Sequence, residues 1–160
     1  MMRALDHVGL TVADLDRALE FWCGRLGLPL LNRVTETGPD IASLIGEDSV
    51  ELEIADLDGG DGQIIELIRY IRPAGRPIWA RSSDPGTAHI AVRVDDLDAA
   101  LERLRGSQGR QISRRPVVLH DPGGAWDGVT CCYIADLDGN IVELIQRPAA
   151  EAPWTDRAAW

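Results

Sequence analysis

Two histidines and two glutamates occupy repeated positions and have the greatest potential for chemistry. His7 begins the segment HVGLTV and His89 begins HIAVRV, while Glu66 and Glu143 lie inside IIELI and IVELI. A carboxylate among apolar strand residues needs a positive partner, a proton or a metal ion. Since each half supplies one imidazole and one carboxylate, a pseudo-twofold predicts a site of two N and two O ligands. Such a set suits Zn, Ni, Co, Mn or Fe(II), and open positions accept water or substrate.

The repetition extends beyond these four residues. Residues 5–22 and 87–104 are identical at eight of eighteen aligned positions, and residues 62–69 match 139–146 at five of eight. Self-similarity at a nearly constant offset indicates a duplicated supersecondary unit. Each unit begins with a segment that carries the histidine and ends with a segment that carries the glutamate.

The elements of each unit follow from periodicity and turn signals. HVGLTV and HIAVRV are predicted strands, and Asp14 and Asp96 are predicted to cap helices whose apolar residues recur at i, i+3, i+4 and i+7. Strand-like segments follow each helix: PLLNRV, IASLIG, VELEIADL and QIIELIRYI in the first half, and RQISRRPVVL, VTCCYIAD and NIVELIQ in the second. The prediction is an α+β fold of two modules, each a strand, a helix and three strands.

The expected organisation is a first module over residues 1–73, a linker over 74–86, a second module over 87–148 and a tail over 149–160. Trp154 and Trp160 in the tail are expected to dock on the body of the protein or on a partner subunit.

Composition excludes several classes of function. The 160-residue chain has a net charge of −10, which argues against nucleic acid as a partner. No apolar run approaches the roughly 20 residues that a membrane span needs, and the polar N-terminus is unlike a signal peptide, so a cytoplasmic location is expected. All 16 basic residues are arginine, which excludes lysine Schiff-base chemistry and a phosphate-loop lysine. The three cysteines have neither disulfide-framework nor zinc spacing.

Four segments in order carry a family resemblance: LDHVGLTVADLDRALEFWCGRLGLPLLNR, IIELIRY, GTAHIAVRVDDLDAALERL and YIADLDGNIVELIQRP. Together they resemble the vicinal oxygen chelate superfamily over roughly residues 4–148. The resemblance implies paired βαβββ modules that form an open mixed β-barrel around a divalent metal ion. It implies the ligands His7, Glu66, His89 and Glu143, a small-molecule substrate and a homodimer.

The resemblance also suggests the reaction. A His, Glu, His, Glu set is similar to that of bacterial glyoxalase I, whereas the acyl-CoA epimerases usually carry Gln where Glu66 stands and a second His where Ala88 stands. Both enzymes transfer a proton next to a carbonyl through a metal-stabilised enolate or enediolate. Glu143 is the first choice for the base, with Glu66 as its counterpart. The alternatives are an Fe(II)-dependent extradiol-type dioxygenase and a resistance-type protein that binds a small molecule without turnover.

Further polar residues are weaker candidates. Glu51 and Glu53 are alternative bases, although a solvated strand face is the more common role for such residues. His120 and Trp126 lie in a Gly-, Pro- and Asp-rich loop that suits either a lid or a plain surface connection. Three arginines are candidates to pair with an anionic group of a substrate, although a solvated surface position is the more common role for such residues: Arg33, Arg69 and Arg81.

Overall fold

Two mixed sheets, one from each half of the chain, form the framework of the computed structural model, which describes residues 4–148. The first half contains β1 (His7–Thr11), α1 (Leu15–Leu19), a π-helical segment (Glu20–Arg25), β2 (Leu30–Thr37), α2 (Pro39–Ile45), β3 (Glu51–Asp58) and β4 (Ile64–Arg72). The second half contains β5 (His89–Arg93), α3 (Leu97–Leu104), β6 (Arg110–Gln111), β7 (Val117–Val118), β8 (Thr130–Ala135) and β9 (Ile141–Gln146).

The strand order is the same in the two halves. It is β1-β4-β3-β2 in the first sheet and β5-β9-β8-β6 in the second, where β7 also pairs with β8. In each half the first strand runs parallel to the last strand, and the other pairs are antiparallel. The predicted α+β fold of two βαβββ modules is therefore confirmed. Among the described residues the sheets remain separate and do not close into a barrel.

The predicted helix caps are also confirmed. The Asp14 carboxylate accepts a hydrogen bond from the Arg17 backbone N–H at 3.0 Å, and Asp96 accepts one from Ala99 at 2.9 Å. Each bond satisfies a backbone donor that the first helical turn leaves without a partner. The two helices thus begin at equivalent positions and continue directly from the strands that carry the histidines.

The prediction of a strand over residues 41–46 is wrong, because this segment belongs to helix α2. Pro39 occupies the first turn, Asp40 places a negative charge at the helix N-terminus, and Gly46 ends the helix in the left-handed conformation at φ 78°. These end signals outweigh the strand-like composition of IASLIG. The predicted strand over residues 110–119 is reduced to the two short strands β6 and β7. The tail over residues 149–160, with Trp154 and Trp160, lies outside the described residues.

One hydrophobic core joins the modules through their helices and one face of each sheet. It contains Leu67 of β4 and Leu144 of β9 together with Leu15 and Leu97 of the helices, all at most 2% exposed. Because side chains alternate along a strand, the residues next to Leu67 and Leu144 face away from this core. Glu66 and Glu143 are those residues. The sheet faces that carry Glu66 and Glu143 are therefore directed away from the core that the two modules share.

A buried aspartate connects the modules. Asp136 is 2% exposed and accepts four hydrogen bonds, from the backbone N–H groups of Asp138 and Asn140, the Asn140 amide and the indole N–H of Trp22 in the first module. Both carboxylate oxygens act as acceptors, so the carboxylate satisfies donors that would otherwise lie buried without a partner.

Asp136→Asn is expected to lower the free energy of unfolding by about 3 kcal/mol, because either orientation of the new amide directs its NH₂ group at buried N–H donors. Urea unfolding measures this change. Asp58→Asn is the matched control. Asp58 accepts one hydrogen bond, from Gly60 N–H, which an asparagine oxygen retains, so its effect should stay below about 0.5 kcal/mol. Equal effects of the two substitutions would contradict the role assigned to Asp136.

No helix within residues 4–148 combines the length and the apolar character that crossing a membrane requires.

Candidate metal centre

Each module brings its histidine and its glutamate together on one sheet face. His7 lies two residues before Gly9, the register partner of Glu66, and His89 lies two residues before Ala91, the partner of Glu143. The His7 Nε2 atom is 3.8 Å from Glu66 Oε2, and the His89 Nε2 atom is 3.3 Å from Glu143 Oε2. We call these two His–Glu pairs the half-sites.

Each half-site fits two coordination positions of one divalent ion. Two ligand atoms at 2.0–2.2 Å from an ion, at tetrahedral or octahedral angles, lie about 2.8–3.6 Å apart. The second half-site already has this spacing. The first exceeds it by a few tenths of an ångström, and the half-exposed His7 ring has room to move by that amount. Imidazole and carboxylate donors in this arrangement suit Zn, Ni, Co, Mn or Fe(II).

Carboxylates surround the first half-site. The His7 Nδ1–H donates to Asp6 Oδ1 at 2.9 Å, which leaves Nε2 available as a ligand atom. This hydrogen bond is the main reason why the pKa of His7 is raised, with burial opposing it and Glu66, Asp6 and Asp56 adding to it through their charges. Asp56 is the register partner of Glu66 on β3.

The second half-site has different neighbours. Burial, and then the charge of Glu143, raises the pKa of the Cys131 thiol to about 11, and this thiol is hydrogen-bonded to Glu143. Tyr133 is the register partner of Glu143, and its hydroxyl is 3.5 Å from His89 Nε2. Burial also raises the pKa of Tyr133, with Glu143 adding to the shift, so the phenol remains a hydrogen-bond donor at neutral pH.

The two half-sites do not converge within one chain. Across residues 4–148, no group of three or more His, Cys, Asp or Glu side chains is close enough to hold one ion. A groove of about 610 Å³ between β1 and β5 is lined by His89 but not by Glu143. A single chain therefore offers two ligands at each of two separate places.

Comparison with known proteins identifies the family. A sequence profile of the Glyoxalase/Bleomycin resistance protein/Dioxygenase superfamily matches residues 4–144. The chain belongs to this superfamily. The resemblance expected from the four sequence segments is thereby confirmed.

Individual members of the superfamily resemble the chain over most of its length. A 2-epi-5-epi-valiolone epimerase from Actinomyces is 34% identical over 149 residues, which is 91% of this chain and 80% of that protein. A probable lactoylglutathione lyase from Vibrio cholerae is 29% identical over 153 residues, 91% of this chain and 92% of that protein. A solved glyoxalase family protein from Bacillus cereus has a TM-score of 0.77 at 25% identity and covers 91% of this chain and 95% of its own.

Four of the other charged candidates form ion pairs within the protein: Glu51, Glu53, Arg33 and Arg69. Glu53 binds Arg69 at 2.7 Å and Arg33 at 3.3 Å, and Arg33 also binds Asp16 at 2.6 Å. Glu53 shares a strand face with Ala55 and Leu57 of the core, which is opposite to the face of the half-site. Glu51 pairs with Arg72. The backbone N–H of Arg81 donates to Asp84 within the linker.

The loop between β7 and β8 packs against the second module. Trp126 contacts the buried cluster of Val129, Cys131 and Ile145, and its ring lies 5.4 Å beneath the Arg147 guanidinium. The loop is closed by a backbone hydrogen bond of 2.8 Å from Leu119 to Val129. His120 is directed outward, with a side chain that is 88% exposed. Trp126 thus covers part of the sheet on the Glu143 side, whereas His120 lies at the surface.

Sequence reasoning missed four neighbours of the half-sites: Asp6, Asp56, Cys131 and Tyr133. The signal for Tyr133 lies in the turn DLDGN over residues 136–140. A hairpin centred on this turn places residues 133 and 143 opposite each other, as the register of β8 and β9 confirms. Cys131 alternates with Tyr133 along β8, which places it on the same face as Glu143.

Proposed function

We propose that the chain is a divalent-metal-dependent enzyme that moves a proton at a carbon next to a carbonyl group. The repetition of the same His–Glu geometry in both modules carries this proposal, since packing alone requires neither an imidazole nor a carboxylate at these positions. Two relatives support it, because one is named an epimerase and the other a probable lactoylglutathione lyase.

The proposed enzyme is a homodimer in which two copies complete two sites. The half-sites face away from the core that joins the modules of one chain, so four ligands for one ion require a second copy. In the proposed dimer, His7 and Glu66 of one subunit face the partner subunit's His89 and the partner subunit's Glu143. The twofold axis of such a dimer generates two identical sites.

A divalent ion held by these four residues would polarise the substrate carbonyl and stabilise the negative charge that develops on its oxygen. Glu143 takes the proton from the adjacent carbon, and the C–H electron pair moves toward the carbonyl. Glu66, which belongs to the other subunit, lies on the other wall of the site, and its carboxyl group passes a proton from solvent to the opposite face of that carbon. The result is inversion at that carbon, and exchange with solvent restores the protonation of both carboxyl groups.

The charge around the site favours a neutral substrate. Asp6 and Asp56 add two carboxylates to Glu66 and Glu143, so the negative charge exceeds that of one divalent cation. An anionic substrate is repelled, whereas hydroxyl groups find several acceptors. The proposed substrate class is therefore a polyhydroxylated ketone, the chemistry that the name of the Actinomyces relative describes.

A second candidate is the reaction of the lactoylglutathione lyases. Several relatives with this name are 27–30% identical to the chain, and the same base and metal would serve a thioester of glutathione. The carboxylates of glutathione would meet the acidic surroundings of the first half-site, which argues for the neutral ketone as the preferred substrate.

The test combines metal binding with proton exchange. Protein purified without chelator is expected to hold Ni, Co, Zn or Mn, and to incorporate deuterium from D₂O into 2-epi-5-epi-valiolone faster than into lactoylglutathione. His7→Ala and His89→Ala should each weaken metal affinity by more than about a hundredfold, because each removes a ligand. His120→Ala, at the third histidine of the chain, is the matched control and should leave affinity unchanged.

Three other results would contradict the proposal. Bound iron with oxygen uptake would indicate the dioxygenase, and small-molecule binding without metal or exchange would indicate a resistance-type binding protein. Metal affinity that is equal in the His7→Ala, His89→Ala and His120→Ala variants would remove the ligand assignment itself.

A further inference from the structure

The half-sites differ at the residue opposite each glutamate. On the strand that neighbours Glu66, the register partner is Asp56, whereas the register partner of Glu143 is Tyr133. The histidines and glutamates repeat, but this position changes from an acceptor to a hydrogen-bond donor. A site assembled from one copy of each half-site therefore has one phenol and one additional carboxylate on different walls.

Several hydrogen bonds hold the backbone of Tyr133 in place. Its N–H donates to Ser113 Oγ at 2.8 Å, and its carbonyl accepts from the N–H groups of Ile112 and Ser113 at 2.8 and 3.0 Å. These bonds connect Tyr133 to the segment that follows β6 and fix the position of its Cα atom in the sheet. A donor fixed in this way loses little entropy when it binds a ligand.

The Tyr133 hydroxyl lies at the ligand atoms of the second half-site. It is 3.5 Å from His89 Nε2, the atom that in turn is 3.3 Å from Glu143 Oε2. When His89 Nε2 serves as a metal ligand, it has no proton or lone pair for the phenol. The hydroxyl is then available to a substrate oxygen in the same space.

We propose that Tyr133 is a catalytic residue whose hydroxyl donates a hydrogen bond to the substrate carbonyl oxygen as that oxygen gains negative charge. This assignment rests on the proposed function, since it requires a substrate at the second half-site. A donor that binds more strongly as charge develops accelerates the reaction without strengthening substrate binding. The phenol thus assists proton removal by Glu143, its partner on the neighbouring strand.

A positioning role makes a different prediction. The Tyr133 and His89 rings lie 5.1 Å apart between centroids, so the ring alone can orient the imidazole. Tyr133→Phe retains this ring contact and removes only the hydroxyl. If Tyr133 acts only by orienting His89, Tyr133→Phe should change the metal affinity. If its hydroxyl is catalytic, Tyr133→Phe should instead reduce kcat and the affinity for a ligand with a negatively charged oxygen.

The experiment compares Tyr133→Phe with Tyr70→Phe, which alters the only other tyrosine of the chain. Tyr70 packs against the cluster formed by α2 and is not part of a half-site. The probe is acetohydroxamic acid, a small neutral molecule that loses its proton when it binds a metal ion. The resulting acetohydroxamate is planar and has two adjacent oxygens, like an enolised substrate at a metal. Its dissociation constant is measured on the Co(II)-loaded proteins from their visible spectra, alongside Co(II) affinity, kcat and KM.

Tyr133→Phe is expected to lower kcat about a hundredfold with little change in KM, and to weaken acetohydroxamate about tenfold at unchanged Co(II) affinity. Tyr70→Phe should match the wild type in every measurement. Equal affinity of the two variants for acetohydroxamate would overturn the proposal. It would also be overturned if a loss of Co(II) affinity in Tyr133→Phe accounted for the reduced kcat and the weaker acetohydroxamate binding. A wild-type protein that binds no divalent ion would instead refute the proposed function, and the role of Tyr133 with it.

Discussion

Glu143→Gln is expected to reduce turnover about a thousandfold and to abolish deuterium exchange from D₂O into the substrate, because it removes the proposed base. Glutamine has nearly the same shape but cannot accept the proton from carbon. Since Glu143 is also a proposed ligand, turnover is measured at saturating metal and bound metal is determined in the same sample. Proton NMR of the substrate in D₂O reports exchange and inversion separately.

Two further variants give this prediction its controls. Glu66→Gln should abolish inversion but retain exchange in the epimer that Glu143 deprotonates, because the two carboxylates act on different faces of the substrate. Glu102→Gln alters a glutamate on α3 whose side chain is 64% exposed and should have no effect. Exchange at the wild-type rate in metal-loaded Glu143→Gln protein would assign the base to another residue.

A heterodimer of two inactive variants is expected to regain half of the wild-type activity. His7→Ala and His89→Ala homodimers should each be inactive, since every site lacks a ligand. In the heterodimer, one site carries both substitutions and the other site carries neither, because each site combines the first module of one subunit with the second module of the other. Co-expression with two different tags and sequential affinity purification isolates this species.

The control heterodimer combines His7→Ala with Glu66→Ala. Both substitutions lie in the first module, so each of its two sites lacks one ligand and activity should remain absent. An inactive His7→Ala/His89→Ala heterodimer, or a wild-type protein that is fully active as a monomer, would show that the four ligands do not come from two chains.

The internal repeat explains why the pairing of each histidine with its glutamate in the candidate site could be predicted. A histidine at the start of the first strand and a glutamate inside the last strand recur with their neighbours, and parallel pairing of those strands places each pair on one face. The apolar residues on either side of Glu66 and Glu143 also indicate which sheet faces form the core. Local patterns therefore sufficed for the pairing within each half-site, though not for the separation of the two half-sites in one chain.

The remaining features depend on the length of each hairpin, which differs between the two halves although their sequences repeat. The hexapeptide IADLDG occurs at residues 54–59 and again at 134–139. In the first module it continues β3 as far as Asp58, whereas in the second β8 ends at Ala135 and Asp136 becomes buried in the turn. Hairpins of different length thus place identical residues in different roles. For this reason Asp56 lies opposite Glu66 and Tyr133 lies opposite Glu143. Alignment of the two hexapeptides instead matches Asp56 with Asp136.

In the proposed dimer, the outward direction of the half-sites would make metal binding and subunit association linked equilibria. An ion that is held by two ligands in a single chain and by four in a dimer binds the dimer more tightly, so it must also strengthen the dimer by the same factor. Removal of the ion by a chelator is then expected to promote dissociation, and dilution of the protein to promote release of the ion. Catalytic activity would then depend on both the protein concentration and the metal concentration, and raising either one would lower the amount of the other that is needed.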